Sequence, residues 1–86
     1  MWTVVTGKPV GRKLEKIPNP DKERIKQTIH DLEAEDKHEA LDIKPLVGRD
    51  EHRLRVGGWR LILKISEEEK TIFIRTLATR GDVYKK

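Results

Sequence analysis

The chain of 86 residues contains no cysteine, which excludes disulfide bonds and thiolate chemistry alike. No stretch approaches the run of about 20 apolar residues that a membrane helix needs. The first residues lack the basic-then-apolar order of a secretory signal. These absences point to a reduced, cytoplasmic setting without a membrane partner. Hydrophobic residues make up only 35% of the chain against 40% charged, so the core has to be compact and the surface densely charged. His30 and His38 have neither cysteine nor an acidic residue at ligand spacing, so surface histidines are expected, with no metal and no cofactor. Internal repeats, low-complexity segments and a second-domain boundary are missing too, and residues 1–86 read as one small domain.

Acidic residues are the other local absence. The net charge of +4 is modest. Up to Val47, nine Lys/Arg cancel nine Asp/Glu, whereas from Gly48 onward there are ten against six. Between His52 and Lys64 lie four basic residues and no acidic one. Residues 48–60 read as two strands joined at Gly57-Gly58. Arg53 and Arg55, two apart, share one strand face, while Leu54 and Val56 point to a core. Arg60 opens the next strand, so the hairpin brings three guanidinium groups together, off the core. Such a group repels itself in water and suits a polyanion, most directly a nucleic-acid phosphate. A merely solvated charged face fits the balanced N-terminal half better than this acid-free pair of strands.

The rest of the chain frames that hairpin. Residues 2–5 read as a first strand ended by Thr6-Gly7. Pro9 is placed to open a helix whose stripe is Val10, Leu14 and Ile17. Residues 18–20 break it, and Asn19 is placed to cap a second helix with the stripe Ile25, Ile29 and Leu32, reaching about His38. Residues 40–51 read as a connection anchored by Leu41, Ile43 and Leu46. Strands follow over about 52–56, 59–66 and 71–78, with residues 67–70 as a hairpin loop. The middle strand carries apolar residues on both faces, as a central strand does. The expected architecture is α+β: strand, helix, helix, then three strands, with a two-helix hairpin on an antiparallel-rich sheet.

This order closely resembles the RelE/ParE toxin superfamily, and within it the RelE-type branch, over essentially the whole length. The resemblance is carried by the Gly-closed loop at residues 44–48, by Arg53-Leu54-Arg55-Val56-Gly57 with Arg60 after it, and by the terminal Arg80 with Asp82-Val83-Tyr84. It implies the toxin of a type II toxin–antitoxin system that acts in the ribosomal A site and cuts mRNA. In that reaction the ribose 2′-OH attacks the adjacent phosphate and the 5′-oxygen leaves. It implies as partners a small acidic antitoxin, the ribosome and mRNA, with operator DNA reached only through the antitoxin. Arg60 corresponds to the family's phosphate-stabilising arginine, Arg80 to the basic residue after the last strand, and Tyr84 to the C-terminal aromatic that stacks on a base or transfers a proton. Arg53 and Arg55 correspond to two basic positions that contact phosphate or ribosomal RNA, and Lys64 is a further phosphate contact.

Two positions depart from the family pattern. Relatives carry a lysine, proposed as general base, where Arg53 and Arg55 stand, and arginine is not deprotonated in proteins. Relatives also place Gly-His or Gly-Lys where this chain has Ala78-Thr79. The base is therefore unassigned. The superfamily implies two other outcomes, a ParE-like poison of DNA gyrase and a non-toxic member that only binds its antitoxin. Alternation sets His52 on the Leu54 face and Trp59 on the Leu61 face, so both are expected to be structural, as is Trp2. Arg49 and Arg75 are expected to be ordinary surface charges paired with Glu51 or the glutamate loop. Tyr84 lies in a polar tail without apolar periodicity, which favours function over packing.

Overall fold

The computed structural model describes residues 1–48 and 50–79. The chain runs β1 (Thr3–Thr6), α1 (Lys8–Glu15), α2 (Asp21–Asp31), a 3₁₀ helix (Glu35–Ala40), β2 (Asp42–Pro45), β3 (His52–Val56), β4 (Trp59–Ser66) and β5 (Thr71–Thr79). The five strands are ordered β1-β5-β4-β3-β2. β1 runs parallel to β5, and every other neighbouring pair is antiparallel. This is the expected α+β arrangement with β4 at the centre. No helix among the described residues is long and apolar enough to cross a membrane.

Alternation decides what lies under the helices. Leu54, Leu61 and Leu63 are fully buried, together with Ile25 and Leu32 from the helical layer. Val10, Leu14 and Ile17 add the α1 stripe, and Ile72, Ile74 and Leu77 add β5. Full burial of each such side chain stabilises by about 1.5–3 kcal/mol, so this layer dominates the fold. Pro9 stands in the first turn of α1, where its missing N–H costs nothing. Asp21 and Glu23 occupy the first turn of α2 and complement its dipole. Glu15 lies 3.7 Å from Lys22 and 3.9 Å from Lys26, linking the two helices at the surface.

Three details differ from expectation. The second helix ends at Asp31 rather than near His38, because its apolar stripe stops at Leu32 and the next backbone bonds are of the tighter i→i−3 kind. Asn19 does not cap it; Pro20 precedes the first helical residue and no side chain caps that end. The connection at 40–51 contains a strand, β2, which pairs Asp42 with Arg55 and Lys44 with Arg53. Its Pro45 is tolerated because β2 is an edge strand.

The turn that fixes the β3–β4 register is Gly57-Gly58. Gly57 has φ +60, and a Cβ there would lie 3.0 Å from Arg24 Nη1; a Cβ on Gly58 would meet nothing within 4 Å. Left-handed backbone costs a residue with a Cβ about 1–2 kcal/mol. Gly57→Ala is therefore expected to lower Tm by roughly 4–8 °C per kcal/mol lost. Gly58→Ala should change Tm far less. Thermal denaturation of the two variants followed by circular dichroism checks the difference, and equal losses would contradict it.

Candidate functional site

β3 and β4 place Arg55 directly opposite Arg60, and Arg53 opposite Ile62. On the other side of β4, Arg60 faces Ala78 and Ile62 faces Thr76. Leu54, Val56 and Leu61 alternate with these residues and belong to the helix-covered core, so the arginines share the face away from the helices. The start of β4 is anchored by Trp59, whose Nε1–H donates to Asp21 Oδ2 at 3.1 Å. Trp59 also packs against the core, as expected for a structural tryptophan.

Like charges directly across a strand pair destabilise it, so this pairing needs a counterbalance. One comes from β2. Asp42 Oδ1 lies 3.3 Å from Arg53 Nη2, and Asp42 Oδ2 lies 3.8 Å from Arg55 Nε. An acid-free reading of residues 52–64 misses this carboxylate, because it sits eleven residues before Arg53 and reaches it only through strand pairing. The same pairing puts Lys44 opposite Arg53 in register, another basic residue that the reading of 40–51 as a connection left aside.

Arg60 corrects a second expectation. It lies on the anticipated face, yet it is 4% exposed. Its central strand gives it a neighbouring strand on either side, with Arg55 and Ala78 flanking it and Ile62 next along the same face. A guanidinium so enclosed is fixed in orientation, and charge interactions there are screened less than in water. Arg53 is nearly as enclosed: its Nε is buried and lacks a hydrogen-bond partner. Arg55 is half exposed.

The other candidate residues lie apart or beyond the described residues. Lys64 stands opposite Phe73, four residues along β4 from Arg60, and its Nζ is 3.9 Å from Asp50 Oδ2. Arg75 Nε is 3.4 Å from Glu51 Oε2, one of the two pairings anticipated. Arg80 and Tyr84 lie outside the described residues, as does Arg49. His38 Nε2–H donates a hydrogen bond of 2.7 Å to the Leu32 carbonyl, and the ring packs on Trp2 with ring centroids 5.6 Å apart. It is therefore half-buried and structural rather than a surface group. His30 lies at the surface, 3.7 Å from Glu33. His52 faces Leu63 and Pro45, on the Leu54 side. Among the described residues no group of three or more His, Asp or Glu is arranged to hold a metal ion.

A two-helix layer on one side and an arginine cluster on the other define a compact α+β protein with a basic sheet face turned away from α1 and α2. This fold is shared with solved toxin structures. A chain of the archaeal RelE–RelB complex from Pyrococcus horikoshii OT3 is 30% identical, with 93% of this chain and 96% of that one covered and a TM-score of 0.80. A chain of the RelB–RelE antitoxin–toxin complex from Methanococcus jannaschii is 25% identical over 94% of this chain and 95% of that one, with a TM-score of 0.77. The isolated E. coli RelE toxin, at 17% identity, shares the fold with a TM-score of 0.72 over 98% of this chain and 92% of that one. No protein-family model matches the sequence, and no curated protein sequence matches it. The chain belongs to the RelE toxin family.

Proposed function

We propose that this chain is the toxin of a type II toxin–antitoxin pair and acts as a ribosome-dependent endonuclease on mRNA in the A site. The observation that carries this reading is the cross-strand facing of Arg55 and Arg60 beside Arg53 on the face away from α1 and α2. In the proposed reaction the 2′-oxygen bonds to phosphorus and the bond from phosphorus to the 5′-oxygen breaks. The products are a 2′,3′-cyclic phosphate and a 5′-hydroxyl. A base takes the 2′-OH proton and an acid supplies one to the leaving oxygen. Negative charge grows on the phosphate in between, where fixed guanidinium donors stabilise it best. Arg60 is the buried charge suited to that task; Arg53 and Arg55 hold the flanking backbone. Arg80 and Tyr84 complete the site by family correspondence, and Lys64 extends the phosphate track. The setting is the cytoplasm, where ribosomes are. Controlled induction in a bacterial host tests this reading. Growth arrest should appear with new mRNA 5′ ends within codons. Arrest with inhibited gyrase and intact mRNA would favour a gyrase poison, and no arrest would favour a non-toxic antitoxin binder.

The partner in this reading is a small acidic antitoxin, through which operator DNA is reached. Its support is the RelB chain named with RelE in the archaeal complexes. A groove of about 270 Å³ beside β1, β5 and α1, lined by Val5, Pro9, Val10, Phe73 and Arg75, offers apolar anchor points on a chain of net charge +4. Val5 and Phe73 are paired in register and exposed. Rim charges mainly set association rate, while apolar anchors hold a complex. Association is therefore expected to slow as salt rises, while the formed complex survives moderate salt. Stopped-flow mixing across a KCl series checks this, and an association rate indifferent to ionic strength would contradict it.

A further inference from the structure

We propose that Asp42 is a built-in counter-ion of the basic face: it holds Arg53 and Arg55 and is exchanged for phosphate when a nucleic acid binds. The inference rests on the reading of this face as a phosphate site. Each carboxylate oxygen of Asp42 addresses a different arginine, Oδ1 to Arg53 Nη2 at 3.3 Å and Oδ2 to Arg55 Nε at 3.8 Å. A single carboxylate thus spans two of the three guanidinium groups. Strand pairing makes the placement fixed rather than incidental, since Asp42, Arg55 and Arg60 form one row across β2, β3 and β4.

The asymmetry of this clamp matters. The Arg53 side chain is 13% exposed, and its Nε is enclosed without a partner, so its reach is committed toward Asp42. Asp42 and Arg55 are 41% and 46% exposed. At 3.8 Å the Arg55 contact is an ion pair without a hydrogen bond, and exposed pairs of this kind hold weakly. A phosphate, with several acceptor oxygens, competes well for both arginines. Until it arrives, Asp42 keeps like charges from repelling and keeps the two side chains in one place. The carboxylate also lowers the charge that an arbitrary polyanion meets, which disfavours indiscriminate binding.

Neutralising Asp42 should therefore strengthen binding and increase its dependence on salt. The test is fluorescence anisotropy of a labelled single-stranded RNA carrying 2′-O-methyl groups, which blocks cleavage, across a KCl series. The proteins are the parent, Asp42→Asn, Asp42→Glu and the Arg53→Ala/Arg55→Ala double variant, all as full chains with melting curves alongside. Asp42→Asn should bind several-fold more tightly at low salt. Its slope of log K against log salt should steepen by about 0.7, the increment for one more phosphate on a single strand. Asp42→Glu should restore the parental slope. An unchanged slope or weaker binding for a folded Asp42→Asn would overturn the counter-ion role while leaving the phosphate reading intact. Parental binding no better than that of the double arginine variant would overturn both.

Discussion

Arg60→Ala is expected to abolish growth inhibition on induction. Loss of one preorganised charge contact to a reacting phosphate typically costs about 10²–10³-fold in rate. Arg60 is buried on the central strand, so alanine also leaves unfilled space and lowers stability. Arg60→Lys separates the two effects. It keeps a positive charge and most of the volume but loses the planar fork that addresses two phosphate oxygens at once. The lysine variant should melt near the parent and remain far less toxic. Growth curves at matched expression, with circular dichroism on the purified proteins, check both. A variant as toxic as the parent would remove Arg60 from the site.

Tyr84 carries the second large expectation. If it stacks on a base, Tyr84→Phe retains most activity and Tyr84→Ala loses it, because stacking is worth about 1–3 kcal/mol per base. Our reading is stacking, since an ordinary tyrosine hydroxyl stays protonated at neutral pH and makes a poor base. Single-turnover cleavage of mRNA on programmed ribosomes by the three proteins distinguishes the roles. A phenylalanine variant as inactive as the alanine variant would make the hydroxyl part of the chemistry.

The hairpin that builds the basic face was legible because three signals agree on it. Leu54 and Val56 alternate with Arg53 and Arg55, Gly57-Gly58 marks the turn, and apolar residues resume at once in β4. That is why β3 and β4 emerge with the expected bounds. β2 was not legible: its four residues hold one inward apolar side chain, Ile43, and end in Pro45, which reads as a breaker until the strand is seen at the edge. Missing β2 meant missing Asp42, whose partnership with Arg53 and Arg55 exists only through register. Periodicity also assigned Arg60 to a face without telling how enclosed that face is. The burial of Arg60 depends on tertiary packing around the central strand, which alternation within β4 cannot report. The end of α2 was overrun for a related reason. Charged residues after Leu32 fit a solvated helix as well as a 3₁₀ turn, and the choice is made by packing around Trp2 and His38.

Cleavage of a defined mRNA on ribosomes with a known A-site codon tests the central claim most directly. The purified protein, free of antitoxin, should cut within that codon and leave a 2′,3′-cyclic phosphate and a 5′-hydroxyl. Arg60→Lys should cut more slowly, and Arg60→Ala, which removes the charge altogether, about 10²–10³-fold more slowly. Intact mRNA with the parental protein, or cleavage unchanged by the Arg60 substitution, would contradict the account.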